Sequence, residues 1–207
     1  LGDVYKRQSL DLRTPTWILG EDSMQMKAAH GEISVGPMSS QGTLKLPVGK
    51  RSLLLLSARA AYLNLLYSKW LEVEEDRVNY DFSDYNFSFI TQLNAHHVLK
   101  WEAYWGYDRV KLTQADYGLS AKLRWNNTMA ALHWYSKWGN VSSEQMLYYS
   151  RYANRIGVDE LSFDVGLRSW IYDIGYKGDV KWGNLKGGLE VIRHCLLYTS
   201  PSPRDTE

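Results

Sequence analysis

The side chains able to do chemistry are few here, and their spacing suits little of it. His96 and His97 are adjacent. Neighbours on a strand point to opposite faces, so the pair makes a poor metal site and reads better as a turn. No His-Glu-x-x-His, cysteine pair or glycine-rich phosphate loop occurs. Glu102 and Asp108 share one face of an alternating segment, six residues apart. On a strand that is roughly 20 Å, whereas a glycosidase acid/base pair needs ~5 to 10 Å. Cross-strand pairing with Lys122 or Asp173 would have to shorten the gap. Charges lining the interior of a barrel are the simpler account.

The acidic run Glu72, Glu74, Glu75 and Asp76 offers clustered oxygens of the kind Ca²⁺ takes. Charge runs are more often solvated loops. Tyr67, Trp70, Tyr80 and Tyr117 fall in polar stretches read as loops. They can stack on sugars or aromatic ligands, or anchor among lipid headgroups. Loops on a rigid scaffold commonly carry specificity. Together with the polar positions Arg59, Glu102 and Asp108, these four aromatics form the candidate binding set. No catalytic, metal or cofactor site is assigned.

The elements that must position these residues are strands. Alternation with period 2 recurs and helical periodicity is poor. In 98–108, Leu99, Trp101, Ala103, Trp105 and Tyr107 oppose Lys100, Glu102, Tyr104, Gly106 and Asp108. In 173–182, Ile174, Tyr176, Val180 and Trp182 oppose Asp173, Lys177, Asp179 and Lys181. Segments 85–94 and 185–194 follow suit, and Ser57 shares a face with Arg59. Short turn signals fall at Val48-Gly49-Lys50, Asn94-Ala95-His96, Gly139-Asn140 and Gly183-Asn184. Longer polar connections lie near 67–83, 112–118 and 155–161. The strands expected are 9–14, 22–47, 51–66, 84–94, 97–112, 118–137, 144–156, 161–182 and 184–194. The second should bend near Gly36-Pro37, because proline cannot donate to a central ladder.

Composition narrows the class. Aromatics make up 14% of 207 residues, and 24 basic against 23 acidic residues leave a net charge of +1. That balance gives no general reason to expect nucleic-acid binding. No apolar run reaches the ~18 to 20 residues of a membrane helix, which excludes a helical membrane protein and not a β-barrel. Residues 1–8 (LGDVYKRQ) and 195–207 (CLLYTSPSPRDTE) do not continue the intervening pattern and look like translated sequencing-adapter read-through. The domain expected is therefore 9–194, which leaves out the single cysteine, Cys195. Long antiparallel strands with alternating short and long connections describe an outer-membrane barrel. In water the same alternation describes a half-buried meander. Aromatics near strand ends, at Tyr62, Tyr67, Trp70, Tyr107, Trp138, Tyr152 and Trp182, suit interface girdles, yet aromatics favour strands in any setting.

An ordered set of short motifs runs along the chain. Segment 26–66 carries Gly36-Pro37, then Ser57-Ala58-Arg59 and Tyr62-Leu63-Asn64-Leu65-Leu66. Phe82-Ser83-Asp84-Tyr85-Asn86 and Tyr104-Trp105-Gly106-Tyr107-Asp108 follow. Next come Trp125-Asn126-Asn127-Thr128, Tyr149-Ser150-Arg151-Tyr152, Asp173-Ile174-Gly175 and Gly188-Leu189-Glu190 through His194. In this order they resemble the early barrel of TonB-dependent outer-membrane receptors, particularly those of Bacteroidetes-like bacteria. Leu10-Asp11-Leu12-Arg13 is similar to a first barrel strand reached from the plug. Two departures stand out. The family's acidic residue before Gly-Pro is missing, with Leu46-Pro47-Val48-Gly49 standing in for that turn, and Asn126 replaces a glycine.

The resemblance implies an all-β fold: an antiparallel meander, incomplete and open, forming part of a 22-strand barrel in the outer membrane of a Gram-negative cell. It implies active uptake of a scarce nutrient such as a siderophore, vitamin, glycan or peptide, and no enzymatic activity. The implied partners are outer-membrane lipid, the nutrient, and a TonB-type energy-coupling protein that acts through a plug outside this chain. Two other classes stay open: a passive porin-like barrel, and a soluble all-β carbohydrate-binding or hydrolase domain. A lone partial barrel would leave unpaired edges at Leu10–Thr14 and Leu185–His194.

Overall fold

The computed structural model describes residues 28–62, 72–73, 76–114, 119–160 and 163–199. These residues form one open antiparallel sheet. The strands are β1 (His30–Val35), β2 (Ser39–Val48), β3 (Ser52–Ala61), β4 (Glu72–Val73), β5 (Asp76–Asn94), β6 (His97–Gln114), β7 (Leu119–Trp138), β8 (Val141–Glu160), β9 (Phe163–Trp182) and β10 (Leu185–Thr199). Nine of them pair in chain order as a meander, and the two-residue β4 folds back on the start of β5. The all-β reading holds: among the described residues there is no helix, hence none long and apolar enough to cross a membrane.

The short turns fall where the sequence places them. Gly49, Gly139 and Gly183 take φ of 70°, 53° and 58°, left-handed values that tight hairpins need and glycine accepts without steric cost. Each brings the next strand back in register, as in Trp138↔Val141 and Trp182↔Leu185.

Several expected boundaries move. The described part of the expected strand 22–47 is two strands, because Gly36-Pro37 reverses the chain and pairs Val35 with Ser40. The Tyr62 hydroxyl donates to the Gly36 carbonyl and pins this turn. β5 starts at Asp76, so 76–83 is strand and not loop; β8 likewise runs on to Glu160. These stretches read as loops because they are rich in charge and their apolar residues, Val78, Tyr80, Phe82, Ile156 and Val158, fall on the parity opposite to that of the apolar band, so the band's pattern breaks off there. β10 continues past His194 to Thr199, pairing Cys195 with Tyr172 and Leu197 with Trp170. Tyr107 and Tyr152 sit well inside β6 and β8 instead of near their ends. The expected strand 9–14 lies outside the described residues.

Register gives the sheet two unlike faces. One carries cross-strand rows such as Phe89–Trp101–Leu132–Leu147–Tyr176–Val191 and Phe87–Ala103–Ala130–Tyr149–Ile174–Arg193, interrupted by Arg193 at the edge and by Arg151, whose guanidinium lies 5.6 Å from the Tyr172 ring centre. On β6 this apolar band runs from Leu99 to Tyr107, nine residues, or about 30 Å at strand rise. Aromatic contacts tie its strands together: Tyr85 stacks on Trp105 at 5.3 Å and Phe89 tilts against Trp101 at 6.4 Å. The other face carries Glu102, Tyr104, Asp84, Asn86, Ser150 and Asp173.

Burial is inverted relative to a water-soluble protein. Trp101 is 53% exposed and Leu147 54%, while Lys100 and His133 on the polar face are only 6% and 7% exposed. The buried apolar core of the described residues is just Ile90 and Val98, with Tyr135 packed against them at the turn end of the polar face. A flat single layer would expose both faces alike, so the crowding marks the polar face as the concave side. Glycines help the sheet curl. Gly175 is buried under the ring of Tyr148 and Gly106 under the hydroxyl end of Tyr104.

Candidate functional site

Four of the seven candidate residues are described, and all four lie on the polar face: Arg59, Tyr80, Glu102 and Asp108. Tyr67, Trp70 and Tyr117 lie outside the described residues. Alternation places the four on one face. Pairing decides which of them meet.

The motif segments of β3, β5 and β6 converge. Arg59 stands opposite Asp84, and Asp84 opposite Gly106. The Arg59 Nε donates to Asp84 Oδ2 at 2.8 Å, and the guanidinium lies 4.9 Å from the Phe82 ring centre. Tyr104 reaches over Gly106 and donates its hydroxyl to the other Asp84 oxygen at 2.9 Å. Tyr80 donates to Asp108 Oδ1 at 3.1 Å. So Arg59, Phe82, Tyr104 and Gly106 gather around the Asp84 carboxylate, and the Tyr80–Asp108 pair stands beside them, Asp108 opposite Phe82. A Cβ at Gly106 would overlap the Tyr104 hydroxyl and push that side chain off Asp84. A shallow groove of about 340 Å³ opens beside it, lined by Gln41, Thr43, Ser57, Arg59, Asp84 and Tyr104. Its walls hold hydroxyls, amides and one charge of each sign. Burial, followed by the hydrogen bond to Asp108, raises the Tyr80 phenol above its ordinary value of 10.0. Tyr80 lies beyond the apolar band.

Glu102 belongs to a second network near the short turns. It accepts from Lys100 Nζ at 2.7 Å and pairs with His133 Nε2 at 3.1 Å. The other nitrogen of His133 is 3.8 Å from Glu144 and 3.3 Å from the Tyr135 hydroxyl. Lys100 and His133 face each other across β6 and β7. A third pair, His194 Nδ1 to Asp173 at 2.7 Å, lies on the edge strand and its neighbour.

Neither proposed route brings Glu102 and Asp108 together. Lys122 stands opposite Lys111 and shares the apolar face, and Asp173 lies on β9 with two strands between. Of the acidic run, Glu72 is in strand opposite Arg77, and Asp76 opens β5 opposite Val73. Glu74 and Glu75 lie outside the described residues. His96 and His97 diverge as expected. His96 Nδ1 is 2.9 Å from the Lys137 carbonyl, while Trp134 donates to His97 Nδ1 at 3.0 Å.

Sequence reasoning missed Asp84, Lys100 and His133 as site members. Asp84 could have been found, because it shares the parity of Phe82 and Asn86 within one of the ordered motifs. His133 could not, because only the β6–β7 register places it beside Glu102. No family model matches the chain, and no curated protein matches it.

Proposed function

We propose that this chain forms part of the wall of an outer-membrane β-barrel, in a TonB-dependent type of receptor that imports a scarce nutrient. The observation that carries the reading is the inverted polarity: a nine-residue apolar band faces out from the sheet while lysine, histidine and carboxylates are crowded together on the opposite face. A membrane-spanning strand needs ~9 to 11 residues, and lipid-facing and lumen-facing residues alternate along it. The ordered motifs supply the receptor type, and their convergence around Asp84 supports it. The polar face would then line the passage, with Arg59, Tyr80, Glu102 and Asp108 among the groups a nutrient meets. A plug and an energy-coupling protein would be the partners, and lipid the surroundings.

Detergent dependence tests the barrel. The chain should acquire strand structure in zwitterionic micelles and aggregate when detergent is removed, because an apolar face and open edges are both exposed to bulk water once the detergent is gone. A stable, folded, water-soluble monomer would overturn the reading in favour of a soluble β domain. Sequencing the source template across both ends tests the receptor. A frame running upstream into a plug and downstream into further alternating strands supports it, and flanking stop codons sink it.

A further inference from the structure

The register sets four arginines side by side. Arg109 faces Arg124, Arg124 faces Arg155, and Arg155 faces Arg168, on β6 to β9. Asp81 stands at the β5 end of the row, opposite Arg109, and Thr199 at the β10 end, opposite Arg168. Arg155 and Arg168 are exposed; Arg109 and Arg124 are half-exposed. The row lies on the apolar face, two residues beyond Tyr107, Asn126, Ala153 and Trp170. Two residues further out, Lys111 faces Lys122. The opposite end of the same face has no such row: Ser136, Ser143 and Val180 are followed by Trp138, Val141 and Trp182.

Like charges directly opposite each other across strands oppose folding. Four guanidinium groups at ~4.8 Å steps, with Asp81 opposite only the first of them, concentrate positive charge that favours an anion. Guanidinium forks fit phosphate oxygens two at a time. The row's position selects the anion's source, because it borders the apolar band at the end away from the short turns. We propose that this row is a binding belt for phosphorylated lipid headgroups at one boundary of the membrane. The inference rests on the barrel reading, and adds to it a lipid partner and a site on the outer wall.

The test uses the full chain in zwitterionic micelles, titrated with brominated phosphatidic acid or brominated phosphatidylcholine. Trp170, one row inside the arginines, is a natural quenching reporter. Phosphatidic acid should bind about tenfold or more tightly than phosphatidylcholine, given that each cation near an anionic surface contributes to attraction. The R109Q/R124Q/R155Q/R168Q variant should lose that preference, and the matching all-lysine variant should keep part of it. Circular dichroism in the same micelles checks that each variant still folds. Equal binding of the two lipids by the folded wild type overturns the proposal and leaves the barrel standing. Displacement of phosphatidic acid by inorganic phosphate at similar concentration makes the row a free-anion site and also overturns it. A chain that ignores micelles altogether, and stays folded in water, removes the barrel reading itself.

Discussion

Strand β6 shows both halves of the molecule within a few residues. Lys100, Glu102 and Tyr104 turn to one side; Trp101, Ala103 and Trp105 turn to the other. The first set is held by Asp84, His133 and its own ion pair. The second meets neighbours on its own face, as Trp105 does Tyr85 and Tyr107, and is left exposed. In water, apolar area leaves solvent and charges stay in it. Here the order is reversed: the apolar side chains are exposed and the charged ones crowded together, the arrangement that the proposed lipid setting would require. The strand itself is the same on both sides; the difference lies in what each face needs from its solvent.

The sharpest way to break this comparison is to put the same charge on each face. Leu132→Arg places a cation in the middle of the apolar band, where a lipid environment penalises it by about 2 to 4 kcal/mol. Met129→Arg places one on the polar face, beside Tyr104 and Ser150, and should cost well under ~1 kcal/mol. Urea titration of both variants in micelles measures the difference. Equal costs, or better behaviour of Leu132→Arg in plain buffer, would show that the apolar face does not meet lipid.

Next in size is the Lys100–Glu102–His133 network. Glu102→Gln removes the carboxylate between two nearly buried groups. Breaking a fully buried pair costs about 3 to 5 kcal/mol. Glu102 keeps 17% exposure, so about 2 kcal/mol is expected by the same reasoning. The cost should rise in the double variant with His133→Phe less than additively, because the two share one interaction. Full additivity would mean that the polar face is solvated charge and not a network.

A smaller effect tests the curl. Gly175→Ala drives a methyl into the Tyr148 ring, and overpacking of that kind costs about 1 to 3 kcal/mol. The ring can swing away, so the low end is expected. Gly157→Ala meets nothing within 4 Å and should be neutral or gain a few tenths of a kcal/mol through the unfolded chain. Similar values for the two would show that tyrosines lying over glycines do not shape the concave face.

Much of this architecture is legible in the residues alone. Two-residue periodicity assigns Leu99–Tyr107 and Lys100–Asp108 to opposite faces, and glycine-centred turns fix where strands reverse. What stays hidden depends on register. Glu102 shares a face with Asp108 along the strand, yet its partners are Lys100 and His133, the latter brought in by β7. The four arginines lie 15, 31 and 13 residues apart along the chain, with no spacing that suggests a row until pairing aligns them. The stretches 76–83 and 155–160 read as loops because, beyond the apolar band, the apolar positions change parity: Val78, Tyr80 and Phe82, and Ile156 and Val158, fall on the face opposite the band, while charged residues continue its own row.

The gentlest test lies at the end of the polar face, beyond the apolar band. Tyr80 donates to Asp108, and burial together with that bond raises its pKa above 10.0. A group with a raised folded-state pKa holds its proton more tightly when folded. Its contribution is therefore complete below pH ~10 and lost as pH climbs through the folded value. Folding free energy in micelles should fall as pH climbs above the ordinary phenol value of 10.0 and through the raised folded-state value. Tyr80→Phe should flatten part of that fall and cost about 0.5 to 1.5 kcal/mol at neutral pH, the worth of one hydrogen bond. Asp108→Asn should have a similar alkaline effect, because it removes the carboxylate that favours the neutral phenol. If Tyr80→Phe leaves the alkaline slope unchanged while Asp108→Asn flattens it, another group senses Asp108, and the outer end of the polar face is organised around the carboxylate and not the phenol.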